Sequence, residues 1–316
     1  MKRALTASLF IILFSGTLVV HPAFAHNFVQ NSDANLIAQV QEFKVESKLI
    51  SDNISNNTLS QWHISKSQGY WGSNEIGVLS QTNSTLATQI STSIDDLYSM
   101  AGQQNADPTM ANQNVDEISQ LLDQAESQEI SSSSQNNATI QALAIVNVIN
   151  EVLKDYGAAI GSTVDLTNMN NMNMNSSSSG NGMSSMGSMS GIGSSGNAMQ
   201  GMSGTTSAPI VNVAAYQSAQ ALAGTAQNMF SNLQSIAPSN TSPYLVKVGT
   251  ALNELKQKID ARDTGMDVMT VVHLQIHPNL ISAFNIAAVP EFPIPILLVM
   301  ISFIGVVVMS RIFPRK

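Results

Sequence analysis

The chain has 316 residues, no cysteine and only 11% charged residues, with a formal net charge of −8. The missing thiols exclude a disulfide framework and any thiolate metal site. Eight Lys and Arg against twenty Asp and Glu leave residues 26–289 at −12, which disfavours nucleic acid and anionic surfaces as partners.

Residues 1–25 read as a signal peptide. Lys2 and Arg3 form a basic start, Leu9 to Val20 an apolar run, and Ala23, Phe24 and Ala25 a small-x-small cleavage pattern. Cleavage after Ala25 makes His26 the first mature residue. An N-terminal His offers its amine and a ring nitrogen together, a chelate that suits Cu(II).

The following segments repeat apolar residues at helical spacing. Residues 33–54 place Leu36, Ile37, Val40, Phe43 and Ile50 on one face, with Ser32 as the expected N-cap. A shorter helix over 57–71 carries Trp62, His63 and Trp71. Residues 74–101 step through Leu79, Leu86, Ile90, Ile94 and Leu97 as one helix. Pro108 opens the next, and the most apolar helix runs from Asn137 to a stop at Gly161.

Residues 162–208 are low in complexity and rich in Asn, Ser and Gly, the composition of a disordered linker. Eight of the 16 methionines sit in it: Met169, Met172, Met174, Met183, Met186, Met189, Met199 and Met202. Thioethers two or three positions apart can wrap one Cu(I), with no proton to displace. A drifted spacer is the competing reading. Three further helices are predicted over 209–236, 243–263 and 266–284. In the last, Met269, His273 and His277 step by four on one stripe, and imidazoles at i and i+4 can share one metal. The same stripe also suits a buried bundle face.

From Ile294 to Phe313 only Ser302, Ser310 and Arg311 are polar, enough to span a bilayer. Arg311, Arg315 and Lys316 then predict a cytoplasmic tail and an exterior location for 26–289. Sequons begin at Asn53, Asn56, Asn83, Asn137, Asn175 and Asn240, candidate glycan sites outside a cell.

No segment sustains a period of two. The predicted fold is therefore all-α: one antiparallel bundle of about eight helices, 26–161 and 209–289, interrupted by 162–208 and followed by a transmembrane helix within 290–316. Two separate bundles are the alternative. No phosphate loop, nucleophile elbow, H-E-x-x-H or Glu-x-x-His motif is present, so no enzyme is predicted.

Pro290-Glu291-Phe292, an apolar span and a basic end together resemble the PEF-type C-terminal sorting signals of archaeal surface proteins, which are frequent in ammonia-oxidising archaea. Pro293 departs from that pattern, where Gly is commoner. "HNFV", "TIQALAIVNVINEVLKDYG" and "MDVMTVVHLQIHPNLISAF" are similar to a group of ectodomains from the same organisms. The resemblance implies a membrane-anchored surface protein among envelope or S-layer proteins. Two functions follow from the residues: copper capture or buffering at the cell surface, or a glycosylated structural role in the envelope without metal.

Overall fold

The computed structural model describes residues 27–28, 30–101, 103, 105–169, 207–286 and 288–289. The regular elements among the described residues are helices apart from one two-residue strand pair, β1 (Asn27–Phe28) with β2 (Ala288–Val289). The helices are α1 (Ser32–Asp52), α2 (Asn57–Tyr70), α3 (Ser73–Thr82), α4 (Ser84–Ala101), α5 (Pro108–Glu129), α6 (Ser132–Gln135), α7 (Ala138–Ala159), α8 (Val213–Ile236), α9 (Ser242–Ala261), α10 (Gly265–Val271) and α11 (His277–Phe284). Among them no helix is long and apolar enough to cross a membrane, and the predicted span at 294–313 lies outside the described residues.

Asparagine punctuates this bundle. Its short amide accepts from the orphan N–H groups of a first helical turn. Asn31 caps α1 through the Ala34 N–H at 2.8 Å, one residue earlier than the predicted Ser32. Asn56 caps α2, Asn137 caps α7 and Asn212 caps α8. The single helix predicted over 74–101 is instead broken at Asn83, whose side chain accepts from the Leu86 N–H at 3.0 Å and starts α4. That local bond competes with continuation of the helix and wins. Gly161 ends α7 as predicted, in a left-handed conformation (φ 65°) where a Cβ would meet the Val211 side chain at 3.0 Å.

The last helix contains one irregular turn. Val272–Ile276 is a π-turn, closed by the His277 N–H on the Val272 carbonyl. Pro278 follows at once. It has no N–H for the carbonyl four residues back, and its ring crowds that turn, so the ladder widens before it.

Phe28–Ala288 form one compact unit, so the helices before and after residues 162–208 belong to the same body. Two apolar clusters fill it. Val40, Phe43, Ile90, Leu97, Ile118 and Leu122 belong to one, built from α1 to α5. Ile145, Leu153, Leu222, Leu252, Val272 and Leu280 belong to the other, built from α7 to α11. α1 supplies both, with Ile37 in the second and Phe43 in the first. α7 packs directly on α8, so the chain re-enters the bundle where it left it.

Candidate functional site

The Met269/His273/His277 stripe is brought together, but inside the core. All three are buried, at 0%, 3% and 1% exposure. The two imidazoles pack edge to face, with centroids 5.3 Å apart and planes at 77°. The Phe28 ring packs on His277 in the same way at 5.0 Å. This is the geometry of aromatic packing. His273 Nε2 donates to the Leu166 carbonyl at 3.0 Å, which fixes the tautomer. Burial lowers the His273 pKa, against the opposing pull of the Leu166 carbonyl and Asp165. A neutral ring results, with Nδ1 as the nitrogen left for any metal.

His63 lies elsewhere, fully buried on α2. Its Nδ1 meets Glu46 Oε2 at 2.6 Å and its Nε2 meets Gln217 Oε1 at 3.2 Å. A chain of hydrogen bonds fixes the donors. Asn53 Nδ2 donates to the Leu49 carbonyl at 2.8 Å, so Asn53 Oδ1 faces Gln217 and accepts from its Nε2. Gln217 Oε1 is thereby turned to His63, and Nε2 must donate to it. One further proton lies between Nδ1 and Glu46, whose other oxygen accepts from Ser218 Oγ at 2.7 Å. In this arrangement both ring nitrogens are already used.

His26 and Met172, Met174, Met183, Met186, Met189, Met199 and Met202 lie outside the described residues. Met169 is half-buried where the chain leaves the bundle. The two ends of the Met-rich stretch are fastened near the C-terminus of α7. The Leu166 side chain packs over Gly157 and Gly265. On return, the Ala208 N–H donates to the Arg262 carbonyl at 2.6 Å, and the Val211 N–H to the Ala159 carbonyl at 2.8 Å. Among the described residues no group of three His, Cys, Asp or Glu is placed to hold a metal.

Sequence reasoning missed a second buried polar group, between α1, α2 and α7. Lys66 Nζ donates to Glu151 Oε1 at 2.7 Å and also to Asp155 Oδ1. Tyr70 OH donates to the same Glu151 oxygen at 2.8 Å, and Lys154 holds the other at 2.8 Å. The Trp62 and Tyr70 rings stand 5.6 and 5.7 Å from Nζ. Glu42 lies beside the group, 6% exposed. Burial, then Glu151, pushes the Glu42 carboxyl up to about 8. Burial likewise raises Asp155 to about 7, although Lys66 pulls it down. At Glu151 burial raises the carboxyl, but Lys66 and Lys154 outweigh it and hold it at about 2. Burial works to lower Lys66, and Asp155 and Glu151 outweigh it, so its ammonium is favoured. A signal for this group exists in the sequence: Glu42 stands next to Phe43 on the apolar face, and Glu151 and Asp155 stand in the most apolar helix.

The sequons divide as well. Asn53 is buried with its amide engaged, which closes it to a glycan. Asn56, Asn83 and Asn137 are helix caps, so the motif has a folding reason there. Asn240 is exposed.

Comparison of the chain with family models, curated proteins and solved structures finds no match.

Proposed function

We propose that the chain is a cell-surface protein, exported by its N-terminal segment and held by its C-terminal apolar span, whose helical body carries a copper-collecting Met-rich stretch. The archaeal origin and sorting role implied by the PEF-type tail belong to the same reading. The observation that supports it most is the fastening of both ends of residues 170–206 at the C-terminus of α7. A bundle whose chain leaves and re-enters at one place can carry thioether ligands without unfolding when they bind. The stripe and His63 contribute packing and a buried ion pair, and the soft-metal chemistry is assigned to the stretch.

The test is a Cu(I) titration against a competing chelator, with His26 as the first residue and with or without 168–204. Loss of tight binding on deletion supports the proposal. Equal binding by the deleted chain overturns it. The burial of Met269, His273 and His277 favours a second reading, an envelope component without metal. An intact chain that binds Cu(I) no better than an Asn/Ser-rich control peptide leaves that reading standing.

A further inference from the structure

Lys66 on α2 and Asp155 on α7, 89 positions apart, are in direct contact inside the bundle, with Glu151 touching the same amine. Their side chains are 16%, 3% and 12% exposed. Aromatic rings flank the amine on α2, and Asp155 Oδ2 is buried with no hydrogen-bond partner among the described residues. An amine, a carboxyl and a second carboxylate are thus held together largely out of water. Such confinement turns a bimolecular condensation into a unimolecular one.

We infer that Lys66 and Asp155 condense to an isopeptide amide that staples α2 to α7, with Glu151 as the proton relay. The bond formed is Nζ–Cγ and the bond broken is Cγ–Oδ2. The ammonium loses two protons, and they leave with Oδ2 as one water. Glu151 Oε1, 2.7 Å from Nζ, takes a proton from the amine, passes it to the departing oxygen and ends as the carboxylate it began as. No oxidant or cofactor enters the balance. The raised carboxyl of Asp155 takes the first of those two protons from the ammonium, which gives the free amine and the acid form from which water departs. Glu151 and Asp155 hold Lys66 as the ammonium, which makes the reaction slow. A bond made once per chain tolerates a slow step. In a chain with no cysteine, this amide is a staple that needs no thiol.

The experiment maps peptides of the full chain after denaturation and proteolysis. A branched peptide joining Lys66 to Asp155, lighter by one water (about 18 Da) than its two parts, is the expected result. A lysine-specific protease then fails to cut after Lys66. In Asp155→Ala that cut returns. In Glu151→Gln, with helical circular dichroism retained, the branched peptide is lost or strongly delayed. Quantitative cutting after Lys66 in the wild-type chain, with no branched species, overturns the inference. A branched peptide that forms at an unchanged rate in Glu151→Gln overturns the relay assignment.

Discussion

At the scale of single residues, stability is concentrated where polar groups are buried. Removing one partner of a buried ion pair leaves the other uncompensated, which costs about 3–5 kcal/mol. His63→Ala strands Glu46 with Ser218 alone, so urea denaturation should show a loss of that order. Asn137→Ala removes one cap and should cost about 1 kcal/mol. Asn240→Ala, on the exposed surface, should stay within about 0.5 kcal/mol. Equal effects at Asn137 and Asn240 would refute the capping role. The sequon motif flagged both positions alike. An asparagine that caps a helix and one that bears a glycan present the same letters, and only the neighbouring N–H groups separate them.

Among the elements, the contact of α1 with α7 makes stability depend on pH. The Glu42 carboxyl, raised to about 8, binds its proton more tightly folded than unfolded. Its contribution is fully present below about pH 4 and is lost as pH rises towards 8. Glu151, lowered to about 2, runs the other way and loses its contribution as pH falls below about 4.5. His273, also lowered, adds stability above about pH 6.5 and loses it below. Amide formation would remove both Asp155 and the Lys66 ammonium from this titration, weaken the pull that lowers Glu151, and leave Glu42 as the group active above neutrality. Glu42→Gln should therefore flatten the fall in stability between pH 7 and pH 8, changing the slope by up to about 1.4 kcal/mol per pH unit. Identical slopes in the two chains would contradict the burial argument. The π-turn offers a second check at this scale. His273→Ala loses the bond to Leu166 and leaves a void, at a cost of roughly 2–4 kcal/mol, with Cu(I) affinity unchanged. Helix positions were legible from apolar spacing because most faces here are half-buried and the period shows. The break at Asn83 and the π-turn before Pro278 were not, since both arise from side-chain or imino geometry that leaves the apolar period intact.

For the whole molecule, the all-helical bundle followed from the pattern, while the chemistry of its candidate groups did not. Spacing put Met269, His273 and His277 on one stripe, and burial decided which way that stripe faces. The Lys66 group escaped notice because its members come from three helices, and no local motif joins them. The proposed topology carries its own prediction: protease added to intact cells should degrade residues 26–289 and spare the basic tail. The assignment of copper to the stretch rather than to the core is tested most directly by X-ray absorption on the chain loaded with one equivalent of Cu(I). The predicted first shell is thioether sulfur at every ligand, unchanged by His273→Ala with His277→Ala. A shell with imidazole scattering that disappears in that double variant would contradict it.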